Sequence, residues 1–298
     1  KKIYPAFIYP GGELKNDYTF PAVRHPRLKV KRRLTWYNPI TWVVEGISTK
    51  GDLIHAQWWS LPVSLICAIV CSGFKIRGKP VVFTVHNVFP HEDCYLHGIL
   101  TRILFKLGDH FIVHAAQNKR QITEYYKIPP DRITHIPHGP LHFHVRGGAD
   151  RDTIRKEMGF SSENWVVLLF GGIRPYKGID TALRAFAKVL EKVPTARLLI
   201  AGKLWQRWEP YEGLMEALGI GDYVRTYLRY VPSGEVHRFF AASDLVILPY
   251  HRFDAQSGVG ATALSFRKPM IVTNVGGLPE LVEDQRFVVP PKDPSALA

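Results

Sequence analysis

Short apolar runs alternate with segments of helical period along nearly the whole of this 298-residue chain, and many of the runs end in turns rich in glycine or proline. A strand that is apolar throughout is buried on both faces, and it belongs in a parallel sheet whose crossovers are helices. The alternation therefore predicts an α/β protein made of βα units. In the first half, strands are expected at residues 52–56, 80–86, 110–114 and 133–136, with helices at 61–74, 95–106 and 119–126. The pattern then restarts, with strands at 165–170, 197–201, 224–228, 245–248, 270–273 and 287–289. Its helices are expected at 179–192, 210–218, 235–242, 258–266 and 279–283. Between the two series stand Pro137-His138-Gly139-Pro140 and Arg146-Gly147-Gly148, runs of chain breakers that read as a linker. The expected division is 1–145 and 146–298, two open α/β domains in series.

Cysteine usage and charge narrow what such a chain does. Cys67 and Cys71, four apart in an apolar stretch, would stack inside a helix, and Cys94 stands alone. No metal or redox spacing appears, so a reducing compartment, the cytoplasm, is expected. The longest apolar run, 61–74, falls short of the roughly 20 residues a membrane span needs and contains Pro62. The net charge of +13 is lopsided: residues 1–145 carry 19 basic and 9 acidic side chains, the rest 20 and 17. A first half at +10 asks for an anionic partner: nucleic acid, an anionic membrane or a phosphate-bearing substrate.

Three glycine-bearing turns follow strands of the second half. In Phe170-Gly-Gly-Ile-Arg-Pro-Tyr-Lys-Gly178 the glycines admit a close backbone approach, the next helix offers its amino terminus, and Arg174 and Lys177 add cations. Asp254-Ala-Gln-Ser-Gly-Val259 would present backbone N–H groups from Ser257, Gly258 and Val259, with Asp254 accepting from sugar hydroxyls. Asn274-Val-Gly-Gly-Leu-Pro-Glu280 repeats the arrangement. Taken singly, each is also readable as a tight turn, with Asp254 and Ser257 as helix caps. Together they are better explained by one large anionic ligand, a phosphate or diphosphate. In the first half, His86 and Asn87 close a strand, with His91 and Glu92 just beyond. A strand-end histidine serves either a substrate or loop backbone groups. His86, His91 and Glu92 lack a clear ligand geometry, so no metal is expected.

These segments, with Lys268-Pro-Met-Ile-Val-Thr-Asn-Val-Gly-Gly-Leu-Pro-Glu280, resemble the donor domain of retaining glycosyltransferases of family 4. His55-Ala-Gln-Trp-Trp59, Thr84-Val-His-Asn-Val-Phe-Pro-His-Glu92 and Ile136-Pro-His-Gly139 resemble its acceptor domain. The resemblance runs from about Tyr4 to Pro290. It implies the GT-B fold, two facing Rossmann-like domains with parallel sheets and an interdomain cleft. The implied reaction is metal-independent transfer of a sugar from a nucleotide diphosphate sugar, UDP- or GDP-linked, with retention. Under it, His86, Asp254 and Lys177 are catalytic, and Gly171, Gly172, Arg174, Lys177, Lys203, Val231, Ser257, Gly258, Val259 and Glu280 bind the donor. Asn87, His91, Glu92 and Trp58 bind the acceptor, and no cofactor is needed beyond the co-substrate.

Two positions depart from the family pattern. Gly172 stands where an Arg is usual, and Thr262 stands where a Glu follows the carboxylate matched by Asp254. They keep a second reading open, a catalytically silent binding subunit on the same fold; an epimerase is a third. By the same resemblance, the chain would lack a first βα unit and a final helix. The basic, aromatic segment 24–37, with Trp42 nearby, suits an anionic membrane face and a glycan or lipid-linked pyrophosphate acceptor. It also suits a solvated surface. No recognition helix or stacking platform supports nucleic acid as the partner.

Overall fold

A computed structural model describes residues 26–59, 63–89, 95–145 and 150–298. The described residues form two compact units: 26–137 together with Asp254–Gln256, and His138–Phe253 together with Ser257–Ala298.

The first unit runs α1 (Pro39–Ser48), β1 (Ile54–Trp58), α2 (Ser64–Ile76), β2 (Val81–Val85), α3 (Tyr95–Phe105), β3 (His110–Val113), α4 (Ala116–Tyr126) and β4 (Ile133–His135). Its four strands are all parallel, in the order β1-β2-β3-β4. Ile54, Ala56 and Trp58 point inward by strand alternation, and Trp58 packs edge-on against Phe105 in a core that also holds Phe83 and Phe111. Cys67 and Cys71 lie on α2, where burial pushes their thiols up to about 11 and about 12, so both are neutral at physiological pH. Helix α1 was not expected from the sequence. Asn38 caps it, Pro39 begins it, and it crosses α2 at Gly46 and Gly73, where a Cβ on Gly73 would lie 2.5 Å from the Gly46 carbonyl carbon. Glu45, buried on α1, accepts from Thr49 Oγ1 at 2.8 Å and Lys31 Nζ at 3.0 Å, which hold its carboxyl below the ordinary range.

The second unit runs α5 (Arg151–Glu157), β5 (Trp165–Phe170), α6 (Ile179–Lys192), β6 (Ala196–Ala201), α7 (Glu209–Ala217), β7 (Val224–Tyr227), α8 (Val236–Ala242), β8 (Leu245–Leu248), α9 (Gly258–Ser265), β9 (Met270–Thr273), β10 (Val288–Val289) and α10 (Pro294–Leu297). Its parallel sheet has the order β10-β9-β8-β5-β6-β7. The chain moves outward from β5 to β7, then returns to the other side of β5. That reversal leaves a crevice at the carboxyl ends of β5 and β8. Alternate residues of β5 serve opposite faces: Val166 and Leu168 one core layer, Leu169 the other. On α6, Ile179, Ala182, Leu183 and Phe186 are buried at helical spacing. At the opposite end of the sheet, Asp244 accepts from Arg151, Arg155 and the Val166 N–H, tying α5 to the strands. The segment 279–283, expected as a helix, is a single 3-10 turn, Pro279–Leu281.

Candidate functional site

In the second unit, the expected diphosphate turn follows β5. Gly178 has φ +67 and caps α6, and a Cβ there would collide with the carbonyl oxygen of Pro249. Such an approach lets the loops after β5 and β8 touch: His251 N donates to Tyr176 O at 2.8 Å. Lys177 is thereby carried inward to 6% exposure, and its Nζ donates to the hydroxyl of buried Tyr250. That hydroxyl lies 3.3 Å from Ser257 Oγ, and Ser257 in turn accepts from Gly260 N as the cap of α9. Lys177, Tyr250 and Ser257 thus form one chain of polar atoms across the crevice between β5 and β8.

Among the described residues Lys177 makes no ion pair. Burial pulls its ammonium down to about 8, with Arg174 adding to the effect and Tyr176 opposing it. Burial also pushes the Tyr250 hydroxyl well above its ordinary range, so it is a neutral donor or acceptor. Arg174 stacks on Trp205, its Cζ 4.2 Å from the ring centroid, and Lys203 Nζ lies 5.4 Å from the same ring. Gly171, at φ +105, keeps its backbone beside Lys177 Nζ and Val259.

The remaining residues expected around a donor divide by burial. Gly258 is exposed at the start of α9, and Glu280 is exposed on its 3-10 turn. The side chain of Val231 belongs to the core, while the ring of its neighbour Tyr230 is exposed. Thr262 is buried and donates to Gly258 O at 2.8 Å, a bond within its own helix. Asp254 groups with the first unit, where its carbonyl accepts from Asn118 Nδ2 at 2.7 Å.

In the first unit, the carboxyl ends of β1, β2 and β3 bring together a ring array. His86 stacks on Trp59, 4.7 Å between centroids at 17°, and its Nε2 pairs with Gln57 Oε1 at 2.7 Å. The His114 ring is 5.2 Å away, its Nδ1 held by Ile136 O at 2.9 Å. Asn87 Nδ2 donates to Trp59 O at 3.1 Å, fixing the loop that carries the indole. Trp58, expected to meet an acceptor, is wholly buried instead, and the exposed indole is its neighbour Trp59. His91 and Glu92 lie outside the described residues. Sequence reasoning missed Gln57, Trp59, His114, Trp205 and Tyr250. Of these only Trp59 had a signal: it sits at a strand end, one residue past the last buried apolar position.

The comparisons agree with this architecture. Residues 150–298 match the family model described as Glycosyl transferases group 1, and residues 6–139 match the model described as Glycosyltransferase Family 4. The chain belongs to the group 1 glycosyltransferase family. It is 30% identical over 250 residues to the D-inositol 3-phosphate glycosyltransferase of Segniliparus rotundus, an alignment covering 79% of this chain and 54% of that protein. The chain spans about half the length of the curated relatives it matches. Among solved structures, a glycosyltransferase from Rickettsia africae has a TM-score of 0.71 at 16% identity, over 90% of this chain and 72% of that one. Anabaena HepE, solved in complex with UDP, has a TM-score of 0.68 at 19% identity, over 83% and 66%. The two parallel sheets and these likenesses bear out the α/β, GT-B class of fold expected from the sequence.

Proposed function

We propose that this protein moves a sugar from a nucleotide diphosphate sugar to a phosphate-bearing or lipid-linked glycan acceptor, with retention and without a metal. The observation that carries the reading is Lys177, a buried ammonium without an ion pair among the described residues, held beside a helix amino terminus by Tyr250. A cation kept out of water at such a cost is poised for an anion that arrives with the substrate. As the bond between the anomeric carbon and the β-phosphate oxygen breaks, negative charge grows on that phosphate. Lys177, Arg174 and the N–H groups of Gly258 and Val259 would meet that charge. The acceptor hydroxyl would attack the same face of the sugar and release its proton to the departing phosphate. His86, steadied by Trp59 and Gln57, would orient the acceptor or donor sugar, and Asp254 would accept from sugar hydroxyls. Anabaena HepE binds UDP, which makes UDP the first donor base to test here.

Proton linkage tests this reading directly. A diphosphate beside Lys177 favours the charged ammonium, so its pKa rises from about 8 on binding. Titrating UDP or GDP calorimetrically in buffers of different ionisation enthalpy should show uptake of more than about half a proton near pH 8.5. At about pH 6.5, where the amine is already charged, uptake should vanish. Affinity should fall as pH climbs above about 8. Failure of both nucleotides to bind would end the donor-site reading, and binding without proton uptake would remove Lys177 from it.

The membrane side of the proposal draws support from α1. Ile40, Val43, Val44 and Ile47 fall on one face, and Ile40 and Ile47 are 73% and 54% exposed. The flanking chain carries Arg27, Lys29, Arg32 and Lys50, while Glu45, the one acidic residue of 26–50, is buried. An exposed apolar helix face within a basic stretch of chain suits an anionic bilayer. Vesicles containing anionic phospholipid should pull the protein down at low salt, and neutral vesicles should not. The double substitution Ile40→Glu with Ile47→Glu should weaken that binding at least about tenfold. Undiminished binding would exclude α1 as the contact.

A further inference from the structure

We propose that Trp205 is the positioning residue for Arg174 in the nucleotide-sugar site, and that position 172 is glycine to seat its indole. The inference rests on the donor-site reading above. The loop after β6 lies along the loop after β5, held by backbone bonds: Gly171 N to Ala201 O at 2.8 Å, Ile173 N to Lys203 O at 2.8 Å, and Trp205 N to Ile173 O at 3.0 Å. They prolong the β5–β6 ladder past the strand ends, with Ile173 and Leu204 in a parallel bridge. The ladder fixes where Trp205 leaves the backbone.

Its indole then meets the backbone of Gly172. A Cβ there would lie 3.1 Å from Trp205 Nε1 and 3.3 Å from Cδ1, tighter than ordinary contact. Gly172 does not have a positive φ, so the position asks for glycine through space and not through backbone conformation. Arg174 stacks its guanidinium on this ring at 4.2 Å, and Lys203 brings a second cation to it at 5.4 Å. A guanidinium held over an aromatic face keeps N–H groups of its planar fork available, which suits phosphate oxygens. The stack also removes side-chain freedom before the ligand arrives, so less is lost on binding.

The test is the affinity of the full chain for UDP and for GDP, measured in Trp205→Leu, Trp205→Phe, Gly172→Ala, Arg174→Ala and the double variant Trp205→Leu with Arg174→Ala. Trp205→Leu should weaken nucleotide binding about tenfold, and Trp205→Phe, which keeps an aromatic face, should recover most of the loss. Gly172→Ala, which crowds the indole from the other side, should weaken binding in the same direction, and it carries the test should Trp205→Leu not fold. The double variant should bind no more weakly than Arg174→Ala alone. Additive losses, or Trp205→Leu and Gly172→Ala binding like the wild type, would overturn the inference while leaving the donor-site reading intact. A wild type that binds neither nucleotide would overturn both.

Discussion

Lys177→Met should abolish sugar transfer while making the empty protein more stable. The ammonium is buried, and its pKa lies at about 8 against an ordinary 10.5. That difference corresponds to about 3 kcal/mol of unfavourable burial of the charged form. The folded pKa is the lower one, so the unfolded chain binds more protons between the two values and stability rises with pH across that window. The penalty is fully present below about pH 8 and is lifted as pH climbs towards about 10.5. Methionine fills similar space without charge, so the melting midpoint at pH 7 should rise, and the advantage should shrink above pH 8. Part of the gain is offset by the lost bond to Tyr250, which retains Ser257 as a neighbour. Turnover of a nucleotide sugar should drop about 100- to 1,000-fold or more, the usual loss when a fixed donor to developing charge is removed. A variant that transfers sugar at near wild-type rate, or one that melts lower at pH 7, would contradict the account of Lys177 as a cation held in reserve.

The second large effect is expected one residue on. Gly178→Ala would place a Cβ against the carbonyl oxygen of Pro249, at a φ of +67 that disfavours side chains. The loops after β5 and β8 would have to part, and the bond from His251 N to Tyr176 O runs between them. A cost of about 3 kcal/mol or more follows, lowering the melting midpoint by roughly 6–12 °C. Nucleotide binding should suffer as well, because Lys177 and Tyr250 sit on the two displaced loops. Gly213→Ala is the matched control. It lies inside α7 with nothing near its Cβ position, so alanine there should be neutral or stabilise by up to about 1 kcal/mol. Thermal melts of both variants decide the matter, and equal midpoints would show that the loops have slack.

The strands of the second unit were legible because each is a compact apolar run closed by a glycine, proline or polar turn, as in Trp165-Val-Val-Leu-Leu-Phe170. Lys177 and Ser257 were legible for a related reason: a turn that must admit a ligand or another backbone announces itself through glycine. Tyr250 was not, since Leu248-Pro-Tyr250 reads as the tail of a buried strand until the fold brings it against Lys177. The choice between Trp58 and Trp59 turned on strand phase. Ile54, Ala56 and Trp58 share one side of β1, which sends Trp58 into the core and leaves Trp59 outside. Helix α1 escaped because its Ile, Thr, Trp and Val residues have middling helix propensity and its apolar positions occupy both faces. Tertiary contact at Gly46 and Gly73 decides it.

The placement of β5 also governs when the second unit acquires its shape. β5 is flanked by β6, its next strand in sequence, and by β8, which is made only after β7 and α8. Until Leu245–Leu248 leaves the ribosome, one long edge of β5 has no mate, and Lys177 has no Tyr250 to receive it. Nascent chains halted before that point should be sticky and readily cleaved, whereas chains halted after Ser265 should resist protease in this unit.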